Sequence, residues 1–265
     1  MDKYPSMCTI VAKKFPGIGW VGVKNRDRSL PTKTKLVRNK INGLERVTLL
    51  DEETRWTEGT NSNGVSVLSS SLDRTVPLPS VQSKNGPRIF EALGAKTVQE
   101  AVEIFKENRV SGCVLVFDQH DLWLIEGDYE SGKQVSRKIE TDGIARTNHG
   151  VWLPDAGYQP DSADKILSIR RISSESRLLI AKYIIETADS PSELMPLLAT
   201  NWIDNPQMNT IRTPYDGIKT RTTEQLMIEP GKGMMLVRNI DGTLEFTRED
   251  ANPPGSDVLV GIVQS

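Results

Sequence analysis

The chain has 265 residues, 33 of them basic and 35 acidic, for a net charge of −2. That length suits one large domain or two small ones, and the balanced charge argues against a nucleic-acid binder, which usually carries a basic surplus. No apolar run approaches the ~20 residues that span a bilayer, and no basic segment leads into an apolar core at the N-terminus, so neither a membrane span nor a secretory signal is read. Two cysteines and two histidines are too few for a disulfide framework, a zinc cluster or a His-rich centre. The expectations are a reducing, cytoplasmic setting, no metal and no cofactor.

In chain order, CTIVA predicts a strand, FPGIG a turn and GWVGVKN a second strand, which together make a hairpin starting at Cys8. RVTLLDE and GVSVLSSSL predict two more strands, rich in β-branched residues. Residues 73–87 hold three prolines, two serines and a glycine and read as a loop. TVQEAVEIFKEN predicts a helix: Thr97 with Glu100 forms a capping box, and Val98, Ala101, Val102 and Phe105 share one face. SGCVLVFD, DLWLIEG, KQVSRKI and DGIARTN follow as strands. A long helical stretch runs from about Asp161 to Glu186 and could break near Ser173–Ser176. A shorter helix starts at Ser190, with Pro191 at its first position and Glu193 completing a second capping box. QLMIEP, GMMLVRN, TLEFTRE and DVLVGIVQ close the chain as strands. Hairpin connections dominate, so the class is α+β, with antiparallel sheets and helices packed outside them.

Cys8 by itself reads equally as a small buried hydrophobe at a strand start. If it were the first residue, its own α-amine could take the thiol proton, because the amine (pKa about 7.7–8.0) and the thiol (about 8.5) titrate close together. No histidine would then be required. The KNRD stretch ends the second strand of the hairpin, so Asp27 could return beside Cys8 and hold that amine. Asn61-Ser62-Asn63-Gly64 reads as a turn between strands, and its N–H groups could face an oxyanion. Asn148 follows a strand and could offer a side-chain N–H to the same charge. Each of these residues also fits an ordinary turn or loop.

Taken together, the Met-Cys-Thr start, the hairpin, N-R-D ending nineteen residues after the cysteine, G-T-N-S-N-G-V-S-V and R-T-N-H-G resemble the N-terminal nucleophile (Ntn) hydrolases. The similar branch is the cysteine group of choloylglycine hydrolases, penicillin V acylases and isopenicillin N acyltransferase-like proteins, with an NRDE-like element. The resemblance runs from Cys8 to about Arg171. It implies a four-layer αββα sandwich and attack on linear amides (C–N bonds other than peptide bonds) through a thioester acyl-enzyme. It also implies roles: Cys8 as nucleophile, Asp27 on its amine, and oxyanion donors from the Asn61 backbone and the Asn148 side chain.

Two positions depart from the pattern, since Lys24 and Lys165 stand where many members carry arginine. Lysine keeps the charge that could hold a thiolate but lacks the planar fork. Trp152 and His149, just after Asn148, are the candidate substrate contacts. Cys113 reads as core, His120 as part of a tight turn, and EPGKGMM as a hairpin turn rather than a phosphate loop.

An N-terminal nucleophile cannot act from inside a chain, so residues 1–7 are read as a leader or a mis-assigned start, and 8–265 as a single domain. Translation from Met7 with removal of that methionine, self-cleavage before Cys8, or retention of the segment are the three routes. The expected partner is a small-molecule amide, with neither nucleic acid nor membrane. Self-association is left open, although tetramers are frequent in the family it resembles. An acyltransferase on the same site, and a catalytically silent ligand- or partner-binding relative, are the alternatives.

Overall fold

The structure, a computed structural model, describes residues 8–28, 33–52, 55–72, 79–128, 131–157, 165–215, 219–240, 244–246 and 257–261. The segment 1–7 expected to be a leader lies outside the described residues. Six strands open the chain: β1 (Cys8–Phe15), β2 (Gly19–Arg28), β3 (Thr34–Ile41), β4 (Leu44–Asp51), β5 (Thr57–Asn61) and β6 (Ser66–Ser70). Helices α1 (Pro79–Ala92) and α2 (Val98–Glu107) follow, then β7 (Gly112–Phe117), β8 (Leu122–Asp128), β9 (Lys133–Lys138) and β10 (Gly143–Arg146). After α3 (Lys165–Thr187) and α4 (Pro191–Leu198) come β11 (Arg221–Glu229), β12 (Met234–Asn239), β13 (Leu244–Phe246) and β14 (Asp257–Gly261).

The strands form two sheets, ordered β10-β1-β2-β11-β12-β14 and β13-β3-β4-β5-β6-β7-β8-β9. The described pairings are antiparallel except β13 with β3. Successive side chains of a strand point to opposite faces, and here both faces are covered. Ile10, Leu68, Leu115 and Leu226 belong to a core between the two sheets. Their neighbours Val67 and Val114 pack instead under α1 and α2, with Val102 and Phe105. Val11 and Met227 pack under α3 and α4, with Leu178, Ile184 and Leu194. Three cores separate four layers, in the order α1/α2, eight strands, six strands, α3/α4. This is the αββα sandwich expected. It explains why the central strands are apolar in runs rather than in alternation. At Gly22 a Cβ would sit 2.5 Å from the Phe117 ring and 2.8 Å from Leu68, so the two sheets approach too closely there for a side chain.

Several expected elements change. Residues 79–87 belong to α1, not to a loop; Pro79 opens the helix, where its missing N–H is no loss. β3 and β5 are strands that the sequence reading passed over. α3 continues through Ser173–Ser176 without a break, because those serines are bonded rather than solvated: Ser173 to the Gln207 carbonyl, Ser174 to Thr147 and Ser176 to the Met208 carbonyl. Thr97 caps α2 through the Glu100 N–H at 3.2 Å. Ser190 makes no such side-chain cap on α4, and Glu193 accepts the Asp189 N–H instead. Pro230–Lys232 and Gly233 form the expected turn between β11 and β12. Among the described residues, no helix is long and apolar enough to cross a membrane.

Candidate active site

The β1–β2 register places Cys8 opposite Arg26, and Asp27 is the next residue along β2. Because faces alternate, Lys24, Arg26 and Arg28 turn toward the other sheet while Asn25 and Asp27 turn toward the helices. Cys8 and Asp27 are both buried. Burial pushes the Cys8 thiol pKa up; Lys24 opposes that rise, Asp27 adds to it, and the Asp27 main-chain N–H on the sulfur opposes it. While Cys8 is inside the chain, the thiol is therefore protonated at neutral pH.

Asn148, directly beyond β10, closes the arrangement. Its Oδ1 accepts the Cys8 N–H at 2.9 Å and an Arg177 guanidinium N–H at 3.1 Å. Its Nδ2 donates to the Ser71 carbonyl at 2.7 Å. Arg177, fully buried in α3, also reaches the Cys8 carbonyl and Thr9 Oγ1, both at 3.2 Å, and lies 3.8 Å from Asp27 Oδ2. Ser174, one helical turn earlier, accepts the Asn148 main-chain N–H at 2.9 Å. Its hydroxyl also meets His149 Nδ1 at 2.8 Å. Burial first, then the Arg171 charge, lowers the His149 pKa to about 4. With the Ser174 hydroxyl hydrogen on Thr147 Oγ1, a neutral ring that donates from Nδ1 satisfies both groups.

Asp27 Oδ1 accepts the Thr222 hydroxyl at 2.7 Å. Its Oδ2 is buried without a hydrogen bond among the described residues. Burial raises the Asp27 pKa to about 6, opposed first by Arg212, then by Arg177, the Thr222 bond and Lys24.

Between the sheets beside Cys8 runs a row of buried ion pairs. Lys24 binds Glu58, Arg26 lies 3.3 Å from Glu58, and Arg28 lies 2.7 Å from Asp51. Glu224 stands 3.9 Å from both arginines. Three cations meet three carboxylates, which is the condition for burying any of them.

This fold and site can be set beside known proteins. No family model matches the sequence, and no curated protein matches it. Among solved structures it is similar to the penicillin V acylase of Agrobacterium tumefaciens, at 14% identity and TM-score 0.53, over 88% of this chain and 83% of that one. It is also similar to the conjugated bile acid hydrolase of Clostridium perfringens in two variants. A cysteine-to-alanine mutant matches at 12% identity and TM-score 0.59, over 98% and 93% of the two chains. An arginine-to-leucine variant matches at 12% and 0.53, over 97% and 94%. The chain has their fold. The sandwich expected from the Ntn-hydrolase resemblance is the one these structures share with it.

On this fold, Cys8, Lys24, Asp27 and Asn148 come together, while three expected residues do not act as written. The Asn61 N–H is spent on the Val65 carbonyl at 3.0 Å, and its side chain holds the Leu93 and Ala95 carbonyls. Asn61 thus builds the turn. Gly64 of that turn packs on Pro230, six residues along β11 from Glu224, or ~20 Å at ~3.3 Å per residue. The main chain facing Asn148 is instead Ser71, past the other end of β6. Lys165 begins α3, twelve residues before Arg177, which is ~18 Å at 1.5 Å per residue. Arg171, nearer in sequence, is tied to Glu175 at 2.6 Å. The buried cation of the helix is Arg177. Its signal lay in SSESR, where Ser173, Ser174 and Arg177 share one polar face of a helix that docks by that face. His149 is buried against Ser174 and presents almost no surface to a substrate.

Trp152 is half-buried between Arg137 and Arg146, whose guanidinium carbons lie 5.1 and 4.9 Å from its ring. Its loop rests on Glu126, whose Oε1 accepts the N–H groups of Val151, Trp152 and Leu153 at 2.7–2.9 Å. A cavity of about 1050 Å³ opens around Lys13, Phe15, Ile18 and Ile185. Lys13 is five residues along β1 from Cys8, ~17 Å by strand rise, so this cavity takes no part in the arrangement around the thiol.

Proposed function

We propose that the protein is a cysteine amidohydrolase that cleaves linear amides once Cys8 is the first residue. The observation that carries this reading is an acceptor already on the Cys8 nitrogen, with an unbonded carboxylate oxygen on Asp27, the residue whose main-chain N–H meets the Cys8 sulfur. Asn148 Oδ1 holds the Cys8 N–H at 2.9 Å, and Asp27 Oδ2 is buried with no hydrogen bond among the described residues. A free α-ammonium has three hydrogens to give, and a peptide N–H has one.

In the proposed reaction the thiol proton passes to the α-amine, and the Cys8 sulfur attacks the amide carbonyl. Asn148 Nδ2, with the hydrogen it does not give to the Ser71 carbonyl, stabilises the oxyanion. The intermediate collapses to a thioester as the α-ammonium returns the proton to the leaving amine. Water, deprotonated by the same amine, then releases the acid and restores the thiol. Lys24 supplies positive charge to the thiolate. An acyltransferase would differ only in the acceptor of the acyl group. The proposed partner is a small-molecule amide and the proposed compartment is the reducing cytoplasm.

The test is intact mass of protein expressed from Met1 and from Met7, followed by assay with penicillin V and glycocholate, amides of the kinds named for the two similar structures. The expected result is turnover confined to protein whose chain begins at Cys8, and its loss in Cys8→Ala. Turnover unchanged in Cys8→Ala would sink the proposal. So would the absence of amide cleavage from a chain shown by mass to begin at Cys8.

A further inference from the structure

We propose that Thr222 and Arg212 are positioning residues for Asp27: they commit one carboxylate oxygen and leave the other to the Cys8 α-ammonium. This rests on the reading of Cys8 as an N-terminal nucleophile.

The geometry begins with a bulge. In β11, Thr222 pairs with Asp27 and Glu224 pairs with Arg26, so the register shifts between them. In a regular strand, residues two apart share a face. The extra residue, Thr223, places Thr222 on the helix side with Asp27 and Glu224 on the inter-sheet side with Arg26. Without it, one of the two carboxylates would lose its partner.

The direction of the Thr222 hydrogen bond is also set. Its hydroxyl accepts the Arg212 main-chain N–H at 2.9 Å, while its own N–H returns to the Arg212 carbonyl at 2.9 Å. The single hydroxyl hydrogen is thereby left for Asp27 Oδ1 at 2.7 Å. The Arg212 side chain is itself held: its guanidinium donates to Gln207 Oε1, Gln207 Nε2 donates to the Thr220 carbonyl at 3.1 Å, and the Gln207 carbonyl accepts Ser173 of α3. The groups that act on Asp27 are Cys8 from β1, Arg177 from α3, Arg212 from the segment before β11, the uncharged Thr222 and, from the opposite face of β2, Lys24. Of these, Arg212 acts most strongly to keep the carboxylate ionised against its burial. An ionised, fixed Asp27 is what an α-ammonium needs for both its position and its proton affinity.

The experiment follows the rate of Cys8 alkylation by iodoacetamide across acid and neutral pH, read by mass in protein beginning at Cys8. Cys113 is fully buried and serves as the unreactive reference. Asp27→Asn should abolish the lower inflection of the profile. Thr222→Val, nearly isosteric, should move that inflection up by about one pH unit, the worth of one hydrogen bond to a charged group. Arg212→Met should move it in the same direction, while Thr222→Ser and Arg212→Lys should restore it. An inflection unmoved in folded Thr222→Val, or one that survives Asp27→Asn, would overturn the proposal. If Arg212→Met does not fold, the Thr222 pair carries the test. Alkylation needs no amide substrate, so failure of the amidase reading would appear separately, as absent turnover.

Discussion

Cys8 and Asn148 are 140 residues apart in sequence and are joined by a hydrogen bond of 2.9 Å. That bond ties the start of β1 to the loop after β10, and Arg177 of α3 reaches the same Asn148 oxygen. Three elements therefore meet on one amide side chain, and its other end holds the strand at Ser71.

If Asn148 Nδ2 serves the oxyanion, Asn148→Ala should lower kcat by about 10²–10³-fold with a much smaller change in KM, the usual loss for one such donor. Steady-state kinetics on the amide that is turned over decide it. A variant with kcat near the parent value would assign Asn148 a purely structural part.

Lys24 is the strongest charge drawing the Cys8 thiol pKa down against burial. Lys24→Met should therefore shift the pH profile of Cys8 alkylation upward, and Lys24→Arg should leave it near the parent. The melting temperature of Lys24→Met should also fall, since Glu58 would lose the cation bonded to it and keep Arg26 at 3.3 Å. A profile unmoved by loss of the ammonium would remove Lys24 from the thiol's surroundings.

Glu126 should matter more than an ordinary buried acid. Glu126→Ala strips the acceptor from three consecutive N–H groups and leaves Arg146, 3.4 Å away, without this carboxylate. A stability loss of about 3–5 kcal/mol is expected by urea unfolding, with a change in tryptophan emission as Trp152 is released. Glu126→Gln keeps one acceptor oxygen and should lose less. Equal losses in the two variants would show that the carboxylate charge, not the acceptor geometry, anchors the loop.

Two buried groups should give opposite pH slopes of stability. His149 falls from 6.5 to about 4 on folding, so its share of stability is present above 6.5 and lost as pH drops toward 4. Asp27 rises from 3.8 to about 6, so its share is present below 3.8 and lost as pH rises through 6. Relative to the parent, His149→Asn should therefore lose stability as pH is raised from 4 to 6, and Asp27→Asn should gain it. Urea midpoints across that window measure both signs, and matching slopes in the two variants would contradict the assignment.

Part of the site was legible because it is local. Cys8, Lys24 and Asp27 sit on one hairpin, where a short turn sets the register. Asn148 was legible as a polar residue ending a strand, although nothing in its own segment says that Cys8 lies across from it. Asn61 was misread because a short turn motif does not say which end of the sheet faces the nucleophile. Arg177 was missed for a related reason: within α3 it is one of several basic residues, and only docking on β1 distinguishes it. Residues 79–87 were read from their prolines, yet Pro79 stands at the helix start, where a proline costs little, and α1 carries Pro87 in its interior.

What the sequence by itself determined was most of the strands, the helices α2, α3 and α4, the apolar runs that demand two covered sheets, and the closeness of a cysteine to the aspartate nineteen residues on. Those follow from period, turn chemistry and hairpin register, all of which act over short stretches of chain. The tertiary structure alone decided which distant groups converge there: Asn148, Arg177, Ser71 and Thr222. Each is brought in by the packing of a separate layer or strand, and that packing is set by the shape and burial of whole faces rather than by the few residues around any one of them.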